Sequence, residues 1–274
     1  MAFKSKRKSG KTYDSKSSEP FKISRSKIDL FHECPRCFYL DTRLGIKRPD
    51  TYPLTLNLAV DALLKKEFDL HRAKGVAHPT MKAYHIDAIP FQHKNIGTWR
   101  ELDFGRGGIH FIHPETNLDV YGVVDDVWVT PQKELIVVDY KATAKKTTPT
   151  LEGDLGAQYK RQMEVYQWLL RKNGFTVSDT GCFFYVNGKK DAEAFDAKLE
   201  FDITILPCIG KTEWIDAILT EIKNALEGEG LPPVGEECQY CQYREEAGKK
   251  LREIHAKTKS KKTEGKHQDP LLST

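Results

Sequence analysis

The chain has 274 residues, 39% of them hydrophobic and 30% charged, a balance that excludes a wholly disordered chain, a collagen-like chain and a small disulfide-stapled scaffold. No apolar run approaches the ~20 residues of a membrane helix, and the N-terminus is polar and basic without an apolar segment, so the expectation is a cytoplasmic protein with no membrane partner. The formal charge of +4 is unevenly spread: residues 1–27 hold nine Lys/Arg against two acids, residues 249–267 hold eight against two, and the stretch between is acidic.

In chain order, residues 1–20 are Lys- and Ser-rich with almost no aliphatic side chains. They cannot bury enough to offset the entropy of ordering, and they read as a disordered basic tail. Residues 255–274 read as a second such tail, and 21–254 as a single domain without repeat or linker. Basic tails suit nucleic acid, because each neutralised phosphate releases counterions; they equally serve solubility. Within the body, 24–33 open on Ser24 as a cap and read as a short helix. Residues 54–74 form a strong amphipathic helix. Residues 109–113 and 118–129 read as strands, as do 134–142. A second long helix over 155–173 is stopped by Gly174, strands follow over 181–187 and 199–206, and a third helix covers 211–227. This order predicts an α/β fold, a central mixed sheet flanked by helices.

Carboxylates occur where apolar residues are expected. In the run Leu135 to Lys141, alternation puts Leu135, Val137, Asp139 and Lys141 on one face and Ile136, Val138 and Tyr140 on the other. Both faces are largely apolar, so an acid and a base sit on a central strand, where unpaired charge is costly. The preceding strand holds Asp125 and Asp126, and the short link predicts an antiparallel hairpin. A loop of five residues sets Asp125 opposite Asp139; a loop of four sets Asp126 there. Two facing carboxylates repel, and a divalent cation between them removes the repulsion; hard oxygen ligands suit Mg²⁺ or Mn²⁺. Helix periodicity adds Gln162 and Tyr166, one turn apart on the buried face of 155–173, and Asp61 on the inward stripe Leu54, Asn57, Asp61, Leu64, Phe68, with Glu67 bordering it.

Asp125, the strand Asp139-Tyr140-Lys141 and the helix Gln162-Met163-Glu164-Val165-Tyr166, in that order, resemble the PD-(D/E)XK nuclease superfamily. The Gln-x-x-x-Tyr helix, the flanking cysteines and the opening Ser26 to Arg36, with Cys34-Pro35, resemble its RecB-type and CRISPR-associated exonuclease branch. The resemblance implies a restriction-endonuclease-like core over about 24–245. It implies a metal-dependent nuclease hydrolysing phosphodiester bonds of DNA in repair, recombination or defence, working with a helicase or recombination complex. It implies Asp125, Asp139 and the Tyr140 carbonyl as ligands of Mg²⁺ or Mn²⁺. Lys141 would orient or deprotonate the attacking water, and Gln162 and Tyr166 would position the nucleic acid or the lysine. The branch commonly carries a metal-binding His on its first long helix; here Asp61 occupies the matching place, with Glu67 as the other candidate. The competing reading is an inactive member of the same fold that binds nucleic acid and keeps a structural metal clasp.

Six cysteines in a chain of this kind argue against disulfides. Cys182 and Cys208 lie in apolar strand contexts and read as inert core residues. Cys34 and Cys37 form one C-x-x-C pair and Cys238 and Cys241 another, some 200 residues apart, which predicts a four-thiolate metal site. Zn²⁺ is the generic occupant. The resemblance points instead to a 4Fe–4S cluster, held in that branch by one Cys before the core and three after it. Here Ala247 stands where the last would fall, and Cys37 would supply the fourth ligand.

Overall fold

Alternation and helical periodicity resolve into eight strands and eight helices among the residues described by the computed structural model, 12–50, 54–101 and 107–264. In chain order they are β1 (Phe21–Ser24), α1 (Arg25–Glu33), α2 (Pro35–Thr42), α3 (Thr55–Lys74), α4 (Pro79–Ala83), β2 (Ile89–Pro90), α5 (Ile96–Trp99), β3 (Ile109–His113), β4 (Leu118–Gly122), β5 (Asp126–Val129), β6 (Leu135–Thr143), α6 (Gly153–Lys172), β7 (Thr180–Gly188), β8 (Phe201–Ile209), α7 (Trp214–Glu227) and α8 (Gln239–Glu264). No helix among them is long and apolar enough to cross a membrane.

The larger of two compact units comprises Tyr13–Asp29 and Asp50–Gly228. Its main sheet is mixed and five-stranded, in the order β2-β5-β6-β7-β8. β6 lies in the middle, antiparallel to β5 and parallel to β7. The parallel step needs a crossover, which α6 supplies. α3 packs on β6 and β2, and α6 packs on β3, β4 and β6. The alternation read from sequence holds along β6: Val138 and Tyr140 join Leu64, Phe68, Trp128 and Phe184 in one buried cluster, while Asp139 and Lys141 bond to α6. Phe68 is the hub of that cluster, stacked on Trp128 and edge-on to Phe184.

The span 118–129, expected as a single strand, is two. β4 ends at Gly122 in a separate three-stranded sheet ordered β1-β4-β3, and β5 starts at Asp126 in the main sheet. Between them the chain leaves both ladders, and Val124 N–H donates to the Trp99 carbonyl instead, at 3.1 Å. Leu54 and Leu155, placed on buried stripes by periodicity, are exposed: Leu54 precedes the first residue of α3 and Leu155 lies in the first turn of α6.

The smaller unit joins Leu30–Pro49 to the chain from Glu229 onward. The body expected over 21–254 therefore contains residues of both units. α8 runs to Glu264, into the stretch read as a basic tail, whereas residues 1–11 and 265–274 lie outside the described residues.

Candidate active site

The hairpin fixes which aspartate meets β6. Asp126 pairs with Val138 and Val129 with Leu135, a register that sets Asp125 across from Asp139. The link is the five-residue one: Thr130 and Glu134 still pair through Thr130 N–H and the Glu134 carbonyl, and Lys133 takes the left-handed position of the turn at φ 67°.

Tyr140 separates the two neighbouring acids. Its backbone N–H donates to Asp125 Oδ2 at 2.8 Å, and its hydroxyl donates to Asp126 Oδ2 at 2.8 Å. Asp126 thus turns away from the site, fully buried, where it also accepts from Val127 N–H and pairs with Arg72. Burial pushes the Asp126 carboxyl up against the pull of the Arg72 guanidinium, and burial holds the Tyr140 phenol well above its usual value, so the phenol remains a donor.

Asp139 is 1% exposed. Its Oδ1 accepts from Gln162 Nε2 at 2.8 Å, while Oδ2 lies against Lys141 Nζ without a well-directed hydrogen bond. Gln162 Oε1 accepts from Lys141 at 3.3 Å, and Gln162 Nε2 also donates to Tyr166 Oη at 3.1 Å. One side chain of α6 therefore ties the acid, the lysine and the tyrosine together. The Lys141 ammonium also sits over the Tyr159 ring, 4.3 Å from its centroid. Tyr166 is buried, which raises its phenol to about 12. Its ring lies on Gly122: a Cβ there would come within 2.6 Å of Tyr166 Cε1, so glycine is required at the end of β4 by close approach alone.

Asp61 and Asp125 line a cavity of about 300 Å³ together with Asn57, Tyr140, Lys141 and Tyr159. Burial and the neighbouring Asp139 carboxylate push the Asp125 carboxyl up to about 8. Asn57 Nδ2 donates to the Ala142 carbonyl at 2.8 Å and fastens α3 to the end of β6. Glu67, the other acid expected near here, instead meets His78 Nε2 at 2.8 Å.

The sequence pattern of the PD-(D/E)XK nuclease superfamily matches residues 22–245. The chain belongs to the PD-(D/E)XK nuclease superfamily. No curated protein matches it. Among solved structures, one titled "Crystal structure of SSO0001" is 14% identical, covers 82% of this chain and 84% of its own, and has a TM-score of 0.38.

As a PD-(D/E)XK protein the chain presents a donor set suited to a hard divalent cation: one carboxylate with a buried oxygen lacking a directed donor, facing a second carboxylate whose ionisation burial and repulsion oppose and the Lys65 ammonium favours. Sequence reasoning missed Lys65, Tyr159 as a partner of Lys141, and Arg72. Lys65 had a readable signal, four residues after Asp61 on the same helix face, and Tyr159 shares the buried stripe of Gln162 and Tyr166.

The four cysteines of the smaller unit converge. Their sulfurs lie within 4.8 Å of one another, with Cys34–Cys241 at 3.7 Å and Cys37–Cys238 and Cys37–Cys241 at 3.5 Å. Cys34 N-caps α2, and its sulfur accepts from the N–H groups of Cys37 at 3.4 Å and Gly235 at 3.3 Å. Against the effect of burial, those two donors bring the Cys34 thiol down to about 7. Arg48 donates to Cys238 Sγ at 3.3 Å and is itself held by Glu33. A Cβ on Gly235 would collide with the Glu33 carbonyl at 2.0 Å, so the chain can approach Cys34 only at a glycine. Cys182 and Cys208 belong to the larger unit, buried on β7 and β8.

Proposed function

We propose that the protein is a divalent-metal-dependent nuclease of the RecB-type and CRISPR-associated exonuclease branch, hydrolysing phosphodiester bonds of DNA in repair, recombination or defence. The observation that carries this is the convergence of Asp125, Asp139, Lys141 and Gln162 at one end of β5 and β6. Asp125, Asp139 and the Tyr140 carbonyl would hold Mg²⁺ or Mn²⁺, with Asp61 in the place that the branch gives to a histidine. Bound there, the ion supplies Lewis-acid polarisation of the phosphate and a more acidic water. The protein's own groups do the rest. Gln162 and the Tyr159 ring fix the Lys141 ammonium, which orients the attacking water and offsets charge gathering on the phosphate oxygens. The water oxygen bonds to phosphorus and gives up a proton to solvent as the bond to the leaving deoxyribose oxygen breaks, and the leaving oxygen takes a proton from solvent.

The intact Asp139–Lys141–Gln162 constellation favours an active enzyme over an inactive relative, since an inactive copy has no use for a half-buried lysine beside two carboxylates. The test is incubation of linear and circular, single- and double-stranded DNA with Mg²⁺ or Mn²⁺. The reading expects cleavage that chelation abolishes. Absence of cleavage on every substrate with either ion would favour the inactive alternative.

For the cysteines, the sulfur spacing supports a single tetrahedral ion. Four thiolates at the usual Zn–S length of about 2.3 Å stand about 3.8 Å apart, close to the 3.5–3.7 Å of three of the six sulfur pairs here, with all six within 4.8 Å. A 4Fe–4S cluster, whose four irons lie between the thiolates, needs a wider set. We therefore assign Zn²⁺ to Cys34, Cys37, Cys238 and Cys241 in preference to iron–sulfur. Elemental analysis and a visible spectrum test this: a colourless protein with one zinc per chain is expected, and a brown protein with iron and sulfide would reverse the assignment.

A further inference from the structure

Lys65 lies one turn beyond Asp61 on α3. Its ammonium is 2.9 Å from Asp61 Oδ2 and 3.6 Å from Asp125 Oδ1, between two carboxylates that line the cavity. We propose that Lys65 is the resident counter-ion of the divalent-metal subsite, one that an incoming cation must displace. This rests on the reading of Asp125 and Asp139 as metal ligands.

The two lysines of the site are held differently. Lys141 is fixed from three sides, by Asp139, by Gln162 Oε1 and by the face of Tyr159. Lys65 meets two carboxylates and, among the described residues, neither an amide nor a ring. Its side chain is one-fifth exposed, and a lysine stem is flexible enough to carry the ammonium into solvent. Three carboxylates, Asp61, Asp125 and Asp139, face these two ammonium groups, so without an ion the lysines hold the repulsion down. An ion bound to Asp125 at a Mg²⁺–oxygen length of about 2.1 Å would stand against the Lys65 ammonium, and two cations cannot share that space in a partly buried site. Of the two lysines, the one without a second kind of partner yields. Affinity for the ion is then set by competition: Asp61 and Asp125 are neutralised either by Lys65 or by the metal.

Calorimetric titration with Mn²⁺ of the full chain and its Lys65→Met, Lys65→Gln and Lys65→Arg variants tests this, with circular dichroism confirming the fold of each. Met keeps the length of the stem without its charge, and Gln covers the case in which Met does not fold. The neutral variants are expected to bind Mn²⁺ on the order of tenfold more tightly than the parent, and Lys65→Arg no more tightly. A lysine with a purely structural role would give no such gain. If the parent binds Mn²⁺ and the folded neutral variants bind it equally or more weakly, the role of Lys65 is overturned while the metal-site reading stands. If neither parent nor neutral variants bind the ion, the metal-site reading fails and takes this one with it.

Discussion

Asp125 and Asp126 are adjacent in the chain and opposite in fate. Strand alternation forces them to different faces, and Tyr140 holds each with a different atom. That Asp125 would face Asp139 was legible from alternation and the five-residue link. That Asp126 would be neutralised by Arg72 was not, because no local spacing joins residues 54 positions apart. The two should separate in experiment. Asp126→Ala removes the buried partner of the Arg72 guanidinium and leaves it only the half-exposed Asp69 and the Phe91 carbonyl, so chemical denaturation should show a loss of about 3 kcal/mol. Asp125→Asn removes one of two repelling carboxylates. Its melting temperature without divalent metal should equal or exceed the parent's, while calorimetry shows Mn²⁺ binding weakened. A destabilised Asp125→Asn with parental Mn²⁺ affinity would contradict the assignment.

The long helices α3 and α6 were visible as periodicity because each buries a stripe of one face, and β6 and β7 as apolar runs because both their faces are covered. Where that condition fails, the reading fails. The segment 118–129 reads as one apolar strand but serves two sheets, and it breaks beside tertiary contacts, the Tyr166 ring lying on Gly122 and the Val124 N–H on the Trp99 carbonyl. A glycine inside an apparent strand was the available signal for such a close approach. Gly122→Ala should therefore cost about 1–3 kcal/mol by overpacking, read from denaturation. It should also lower any cleavage rate, because Tyr166 accepts from the Gln162 amide that holds Lys141. Parental stability in this variant would show that α6 adjusts freely and does not set the site.

Across the whole chain, the convergence of the two cysteine pairs was legible from sequence spacing, but their sulfur–sulfur distances were not, since spacing along the chain carries no such distance. The clasp joins segments on either side of residues 50–228. A covalent link closing a loop of that span is worth roughly 5 kcal/mol, an upper guide for a reversible metal clip, against a net stability of about 5–15 kcal/mol for a typical domain. Cys238→Ala should lower the melting temperature markedly and release the metal, whereas Cys182→Ala should leave the metal content unchanged. Coincident melts and equal metal content for Cys238→Ala and the parent would remove the site.

The most direct test of the nuclease reading is single-turnover cleavage of DNA with saturating Mn²⁺ by the parent and by Lys141→Ala, both shown folded by circular dichroism. Lys141 touches Asp139, Gln162 and the Tyr159 ring, and its ammonium is the one positioned charge assigned to the phosphate. The account predicts a rate lower by ~10²–10³ in Lys141→Ala. Equal rates in the two proteins would contradict it.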